Sequence, residues 1–222
     1  TQLIIGDIHG CYYELQQLLD KSGIGDDDEI ISVGDIVNRG PEPLKVFQFF
    51  RDTSNARAIM GNHEWNHIRA KSGELPPRFP TLLTYWMMGD QYSEFLDYVS
   101  QLPLYLDLPD ALILHGFYEP HIPLEKQEKR ILLGVMSGEK YLQDTYDDLW
   151  YKYYDSQKPL IVGHRDYTGE QQPLIYNNVY GIDTRCVYGG SLTGILLPQF
   201  ELISVPSRRD HWSKLQRKHG VE

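Results

Sequence analysis

LIIGDIHG (residues 3–10) and IISVGDIVNRG (residues 30–40) are short apolar runs that each lead into Gly-Asp, and they enclose the helix-length segment CYYELQQLLDKSG (residues 11–23). The order of strand, helix and strand predicts a βαβ unit, in which two parallel strands lie side by side under a covering helix. The same alternation continues through PLKVFQFFRD (43–52) and ARAIMG (56–61). We therefore expect the first third of the chain to form a parallel sheet.

The rest of the chain changes in pattern. Residues 63–103 read as a helical insert over one edge of the sheet, and short apolar runs such as ALILHG (111–116) and PLIVGH (159–164) follow, separated by Gly and Pro. Two sheets that face each other between helices would bury these runs. We predict an α/β sandwich of two mixed sheets over residues 1–206, with the active site in loops at the carboxyl ends of strands, and a C-terminal tail over residues 207–222.

Composition limits the partners of the protein. The 222 residues include 21 Lys and Arg against 31 Asp and Glu, a formal net charge of −10 at pH 7, so we expect no nucleic-acid binding. An anionic substrate would then need local arginines or metal ions. Cys11 and Cys186 have no CxxC spacing, and no stretch is typical of an export leader or of a membrane span. We expect a cytoplasmic protein without membrane contact; the sequence does not indicate an oligomeric state.

Five apolar runs end beside a side chain that can bind a metal ion. These side chains are Asp7, Asp35, Asn62, His115 and His164. His9 lies two residues after Asp7, so in extended chain both would project to the same side. Carboxylate, amide and imidazole ligands without thiolates suit Mn, Fe or Zn. Each residue alone has a structural alternative, because Asp and Asn after Gly commonly cap turns and helices, and a buried His can bond to backbone. Their ordered recurrence favours a metal site.

The ordered series GDIHG, GDIVNRG, GNHE, LILHG and VGH, followed by GIDTRCVYGGSLTG (181–194), resembles the phosphoprotein-phosphatase type of calcineurin-like metallophosphoesterase. The likeness covers residues 3 to about 206 and is greatest to the bacterial branch that includes serine/threonine phosphatases and bis(5′-nucleosyl)-tetraphosphatases. It implies a calcineurin-like sandwich with two divalent metal ions, Mn being the first choice and Fe or Zn the alternatives. These ions would act as Lewis acids and activate a bridging water for in-line attack on phosphorus.

The resemblance also implies a role for each matched residue. Asp7 and His9 would bind the first ion, and Asp35 would bridge both ions. The other ligands of the second ion would be Asn62, His115 and His164. His63, next to Asn62 in GNHE, would protonate the leaving-group oxygen.

Arginine would hold the phosphate. Arg39 matches the family's phosphate-binding arginine, and its planar fork suits two phosphoryl oxygens, with Asn62 beside it; a solvated turn residue is the alternative for Arg39. The second arginine is open. Arg130 ends the charged run EKQEKR (125–130), where a solvent-exposed role is the simpler interpretation, and Arg165 stands where the family more often has Thr.

Two residues depart from the family pattern. Asn38 stands where the family usually has Asp, whose carboxylate orients the acid histidine, so we assign Asn38 to the catalytic group behind His63. An amide oxygen could still accept a hydrogen bond from His63 but supplies no charge, and we expect His63 to carry its proton less often. Leaving groups that need little protonation, such as aryl phosphates or nucleotide anhydrides, would be favoured. Arg185, where relatives tend to have Gly, would favour extended anionic substrates if it lies at the mouth of the site.

These patterns predict a metal-dependent phosphatase. Our first interpretation is a phosphoprotein (Ser/Thr) phosphatase, and the alternative is a hydrolase of dinucleoside tetraphosphates. The substrate would be a phosphorylated protein or a nucleotide polyphosphate, and the motifs, which describe the phosphoryl end, do not separate the two. A phosphate-binding module that has lost turnover is the interpretation from another class. Four histidines match no motif and receive no role: His67, His121, His211 and His219.

Overall fold

The computed structural model describes residues 1–221, which contain ten β-strands and eight α-helices. The strands are β1 (Gln2–Ile5), β2 (Glu29–Ser32), β3 (Ala56–Ala58), β4 (Tyr105–Asp107), β5 (Leu112–Leu114), β6 (Leu160–Val162), β7 (Leu174–Tyr176), β8 (Val179–Gly181), β9 (Ser191–Leu197) and β10 (Glu201–Pro206). The helices are α1 (Tyr12–Ser22), α2 (Pro43–Asp52), α3 (Asn62–Lys71), α4 (Phe79–Met88), α5 (Tyr92–Ser100), α6 (Lys129–Leu132), α7 (Met136–Thr145) and α8 (His211–His219).

The strands form two mixed sheets of five strands each. The first has the order β10-β9-β1-β2-β3, in which β1, β2 and β3 are parallel to one another. Strand β9 is antiparallel to both of its neighbours, β1 and β10. The second has the order β4-β5-β6-β8-β7, in which the three central strands are parallel and both edge strands are antiparallel. The predicted α/β fold of two mixed sheets flanked by helices is confirmed.

The two sheets pack face to face. Because side chains alternate along a strand, Ile4 of β1 points to the opposite side from its neighbours Leu3 and Ile5. Ile4 belongs to the core between the sheets, where it joins Ile113 of β5 and Ile161 of β6, all three fully buried. Leu3 and Ile5 instead belong to the core that covers the other face of the first sheet and includes buried residues of α1, α2 and α5. Each such buried side chain contributes roughly 1.5–3 kcal/mol.

Helices occupy the segment predicted as an insert, since α3, α4 and α5 lie between Asn62 and Ser100. The tail also forms a helix: α8 buries Leu215, and Nε2 of its first residue, His211, lies 2.9 Å from Oε1 of the buried Glu14 in α1. The domain boundary at residue 206 stays a prediction, and Glu222 of the predicted tail lies outside the described residues. Within residues 1–221, no helix combines the length and the apolar character needed to cross a bilayer.

Candidate metal centre and active site

The carboxylate of Asp35, in the loop after β2, lies among three imidazoles. Its Oδ1 is 3.4 Å from Nε2 of His115, and its Oδ2 is 3.7 Å from Nε2 of His9 and 3.9 Å from Nε2 of His63. All four side chains are buried. His115 directly follows β5, so ligands from both sheets converge on Asp35.

Asn62 lies on the side of Asp35 that faces the second sheet. Its Oδ1 is 2.9 Å from Nε2 of His115 and 3.1 Å from Nδ1 of His164. Nε2 of His164 is buried and has no hydrogen-bond partner among residues 1–221. A buried imidazole nitrogen without a partner is costly unless it binds something, such as a metal ion.

Asp7 completes the other side of the cluster. Its Oδ2 is 3.9 Å from Nε2 of His9, and its Oδ1 accepts a hydrogen bond of 2.9 Å from the backbone N–H of His164. Nδ1 of His9 and Nδ1 of His115 each lie 2.9 Å from a backbone carbonyl, those of Val37 and Val33. Those bonds direct each Nε2 toward the centre, the arrangement common for metal-binding histidines.

The donors present fit two divalent ions. Two groups have ligand atoms within 4.8 Å of one another, one formed by His9, Asp35 and His63 and the other by Asp35, His115 and His164. Asp35 is common to both, as a bridging ligand requires. The first group contains His63 as its third member, whereas the sequence analysis expected Asp7 as the ligand of the first ion beside His9. The donors are oxygen and nitrogen atoms without thiolate, and the unpartnered Nε2 of His164 adds an open ligand position.

Burial and charge shift the pKa values in this cluster. Burial alone would raise the pKa of Asp35, but His115 and His63 outweigh it and hold that pKa well below its usual range. Burial would lower the pKa of His115, yet Asp35 raises it to about 10. Burial and then Arg39 lower the pKa of His9 to about 4, and burial with Asp183 raises that of Asp7. Asp35 and His115 thus form a buried ion pair whose proton a metal ion would displace.

The loops that carry these side chains adopt an uncommon backbone. Positive φ angles near the left-handed region occur at several non-glycine residues of the site: His9 (47°), Asp35 (52°), Asn38 (69°), Arg39 (64°), His164 (68°) and Arg185 (58°). Such conformations cost of order 1–3 kcal/mol each and cluster at functional sites. Gly61 allows the Asp35 loop to pack closely against the start of α3, because a Cβ at position 61 would collide with the backbone and carboxylate of Asp35.

Glu64, which the sequence analysis left without a role, holds the Asp35 loop in place. Its Oε2 accepts hydrogen bonds from the backbone N–H groups of Asp35 (2.8 Å) and Gly61 (3.0 Å). Its Oε1 accepts from those of Ile36 (3.1 Å) and Val37 (3.4 Å). Burial and the neighbouring Asp35 raise the pKa of Glu64 to about 7. Its position as the third residue of α3, where acidic residues favour a helix start, was the available signal.

Asn38 contacts His63, but through the other end of its amide than the sequence suggested. Its Nδ2 lies 2.7 Å from Nδ1 of His63, so the amide donates and His63 accepts. The oxygen Oδ1 is already taken, because it lies 2.8 Å from Nε2 of His67 and accepts a hydrogen bond of 2.7 Å from the hydroxyl of Thr84. The hydroxyl of Tyr92 in turn lies 3.0 Å from Nδ1 of His67. His67, left without a role above, therefore orients Asn38.

The tautomer of His63 follows from this contact. Because Nδ1 accepts a hydrogen bond from Asn38, the neutral ring carries its proton on Nε2, the atom 3.9 Å from Oδ2 of Asp35. Burial, followed by Arg39, also lowers the pKa of His63 well below its usual range. His63 thus presents an N–H to the centre.

The three candidate phosphate-binding arginines occupy different positions. Nη1 of Arg39 lies 3.3 Å from Nε2 of His9, at the centre itself. Arg165 lies at the cavity wall but forms an ion pair with Glu139. Arg130 is not brought to the cavity: its guanidinium pairs with Glu128 at 2.8 Å and lies over the ring of Tyr141. The local charged run decides the position of Arg130, and we do not assign it to the site.

The centre opens into a cavity of about 560 Å³ between the strand-end loops, α3 and α4. Besides Arg39 and Arg165 its walls include Arg69 of α3, Arg78 at the start of α4, and Arg185. Arg69 and Arg78 come from the helical insert, match no motif and were not identified from the sequence. Arg185 lines the same cavity as Arg39, as its expected role toward extended anionic substrates requires.

Comparison with known proteins agrees with this geometry. Residues 1–192 match the calcineurin-like phosphoesterase family. The chain belongs to that family. As a calcineurin-like phosphoesterase it is a metal-dependent phosphoric ester hydrolase, so the resemblance read from the motifs and the predicted enzyme class are both confirmed. The family and the clustered ligands give a dinuclear metal-dependent enzyme.

Relatives of this calcineurin-like phosphoesterase carry more specific names. It is 30% identical to the asymmetrical bis(5′-nucleosyl)-tetraphosphatase PrpE of Anoxybacillus flavithermus, over 92% of this chain and 93% of that protein. A solved structure of a protein proposed to be a diadenosine tetraphosphatase has a TM-score of 0.77 and 25% identity, covering 93% of each chain. A serine/threonine phosphatase from Saccharomyces cerevisiae with similarity to human PP5 has a TM-score of 0.58 and 14% identity, over 93% of this chain and 79% of that one. This last likeness shows the fold alone.

Proposed function

We propose that this enzyme hydrolyses phosphoanhydride bonds in nucleotide polyphosphates, in the manner of an asymmetrical bis(5′-nucleosyl)-tetraphosphatase. The observation that carries the proposal is the contact of the Asn38 amide nitrogen with Nδ1 of His63. The names of the relatives at 30% identity point to the same substrate class.

The amide limits what His63 can do for a leaving group. A carboxylate at position 38 would stabilise an imidazolium, which gives up a proton readily, whereas an amide supplies no charge and cannot take a proton. With Nδ1 occupied by Asn38, His63 can donate a hydrogen bond from Nε2. A serine or threonine alkoxide needs a full proton to leave. The phosphate end of a nucleotide leaves as a stable anion, for which a hydrogen bond suffices.

The remaining residues would bind and orient the substrate. The ligands of the two ions would be Asp7, His9, Asp35, Asn62, His115 and His164, with His63 beside the first ion and Mn the preferred metal. When bound, the ions supply Lewis acidity and a water activated for attack. Arg39 would hold the attacked phosphoryl group with its planar fork, and Asn62 would contact the same group. Arg165 would join them only if released from Glu139.

We place the enzyme in the cytoplasm, where nucleotide polyphosphates are available. Cys11 and Cys186 are free and buried, which agrees with a reducing compartment. Serine/threonine phosphatase activity was the first interpretation from the sequence, and the experiment described next measures it alongside nucleotide hydrolysis.

The test is a substrate profile of the Mn-loaded enzyme, with metal content measured on the same sample. We expect diadenosine tetraphosphate to yield ATP and AMP, with kcat/KM far above that for a phosphoserine peptide. A preference for the phosphopeptide would overturn the proposal in favour of a protein phosphatase. Phosphate binding without turnover of either substrate by the metal-loaded protein would favour the non-enzymatic module.

A further inference from the structure

Arginines are concentrated in the cavity although the chain as a whole carries a net charge of −10, and the carboxylates of Asp35, Glu139 and Asp183 line it beside them. Five arginines line it: Arg39, Arg69, Arg78, Arg165 and Arg185. Two of them are neutralised, Arg69 by Glu74 at 2.8 Å and Arg165 by Glu139. Within residues 1–221, none of the other three has a carboxylate oxygen within ion-pair distance. Unneutralised arginines that converge on one concave surface attract an anion.

Tyr188 connects two of these arginines. The guanidinium carbon of Arg185 lies 4.2 Å from the centre of the Tyr188 ring, and that of Arg39 lies 5.7 Å from it. Cation–π contact of this kind holds a guanidinium in place without using its N–H donors. The Arg185 fork therefore keeps its donors for a ligand, Arg39 keeps those not directed at His9, and the half-buried Tyr188 ring fixes the two guanidinium groups relative to each other.

The backbone at Arg185 shows that packing alone does not explain this residue. Its φ is 58°, a left-handed conformation that glycine adopts without strain and that other residues seldom adopt. Its N–H donates to Oδ1 of Asp183 at 2.9 Å, and its carbonyl accepts from the N–H of Tyr188 at 2.9 Å. Glycine could make both backbone bonds. What arginine adds here is its guanidinium.

We infer that Arg185, supported by Tyr188, forms a subsite for the phosphate groups beyond the one that is attacked. This rests on the proposed function and deepens it: Arg39 binds the phosphoryl group at the metal centre, and Arg185 binds the next groups of a linear polyphosphate chain. Arg78, which lines the same cavity, adds a further cation for this chain. Arg185 is thus a specificity-determining residue that separates polyphosphate chains from phosphate monoesters.

Inorganic tripolyphosphate and orthophosphate test the subsite without a nucleoside. Both are assayed as inhibitors of aryl phosphate hydrolysis, with free Mn held constant because tripolyphosphate binds metal. The variants are Arg185→Gly, which fits the local backbone, and Arg185→Lys, which keeps charge but not the fork. Arg217→Ala, which removes an exposed arginine of α8 outside the cavity, is the control for net charge.

We expect Arg185→Gly to raise the inhibition constant of tripolyphosphate by about ten- to hundredfold, which corresponds to the roughly 1.5–3 kcal/mol of a charge-assisted contact. The constant for orthophosphate should rise much less, Arg185→Lys should be intermediate, and the melting temperature of Arg185→Gly should not fall. Unchanged tripolyphosphate inhibition would overturn the inference. So would an equal loss for both anions, because Arg185 would then act at the metal centre.

Calorimetric titration of tripolyphosphate into the metal-free protein separates this inference from the proposed function. If the enzyme hydrolyses neither aryl phosphate nor diadenosine tetraphosphate, the proposed function fails, while weaker tripolyphosphate binding by Arg185→Gly still supports the subsite. If diadenosine tetraphosphate is cleaved and Arg185→Gly binds tripolyphosphate as well as the parent protein does, the subsite fails alone.

Discussion

The side-chain amide nitrogen of Asn38 lies 2.7 Å from Nδ1 of His63, while its oxygen faces His67 and Thr84. Both the nitrogen and the oxygen of the Asn38 amide are therefore hydrogen-bonded. His63 receives a hydrogen bond from a neutral group at position 38, whereas a carboxylate at that position would accept one from His63. Oriented in this way, the contact keeps a proton on the ring atom that faces the metal centre.

Replacing Asn38 by Asp should broaden the substrate range. A carboxylate at this place would accept a hydrogen bond from the Nδ1–H of His63 and stabilise the imidazolium, so kcat for a phosphoserine peptide should rise by roughly 10²-fold, the lower part of the range for general acid catalysis. Turnover of an aryl phosphate should rise far less. The comparison is of kcat on both substrates. Asn66→Asp, which adds the same charge elsewhere on the cavity wall, is the control; equal gains on both substrates in Asn38→Asp would contradict the idea.

Metal binding should stabilise the protein more at higher pH. In the metal-free protein Asp35 raises the pKa of His115 from 6.5 to about 10. The folded state then holds a proton that the unfolded state loses above pH 6.5, so this contribution to the free energy of unfolding declines between pH 6.5 and 10. A bound ion displaces that proton and removes the decline. The rise in melting temperature on adding Mn should thus grow from pH 6.5 to pH 9; a constant or shrinking rise would show that His115 is neutral in the metal-free protein.

Truncation of His164 should remove one of two metal ions. Its Nε2 has no partner among the described residues, and its Nδ1 lies 3.1 Å from Asn62. We expect His164→Ala to bind about one Mn per chain where the parent protein binds two, as measured by elemental analysis after dialysis. His121→Ala, an exposed histidine outside the cavity, should keep both ions. Two tightly held ions in His164→Ala would exclude His164 as a ligand.

Neutralising Glu139 should strengthen phosphate binding. Glu139 pairs with Arg165, and both residues line the cavity. In Glu139→Gln the guanidinium of Arg165 loses its ionic partner and becomes available to an anion, so the inhibition constant of orthophosphate should fall several-fold. The double variant Glu139→Gln, Arg165→Ala should lose this gain. If orthophosphate inhibition does not change in Glu139→Gln, Arg165 does not reach the phosphate.

Short motifs predicted the parts of the site that depend on local chain geometry. Asp7 and Asp35 could be placed because each lies two or three residues after the end of a buried parallel strand, and the carboxyl ends of such strands share one edge of a sheet. The orientation of Asn38 could not be predicted, since its oxygen is engaged by side chains of α3 and α4 that are remote in sequence.

Which arginines line the cavity was equally hard to predict from the sequence. Arg130 lies near the expected place in the chain, yet the adjacent Glu128 draws its guanidinium away. Arg78 enters the cavity only because of how α4 packs. The charged run favoured an exposed Arg130, but no pattern in the sequence indicated that Arg69 and Arg78 line the cavity.

Because of Glu64, the metal centre can form only after certain parts of the chain have folded. It accepts hydrogen bonds from the backbone of Asp35 across 29 positions of sequence, and it can do so only after α3 has docked against the loop that follows β2. Before that event the backbone N–H groups of Asp35, Ile36 and Val37 lack these acceptors. Metal uptake during refolding should therefore not precede the docking of α3, and a nascent chain would acquire both ions only after the later ligands His115 and His164 have also left the ribosome.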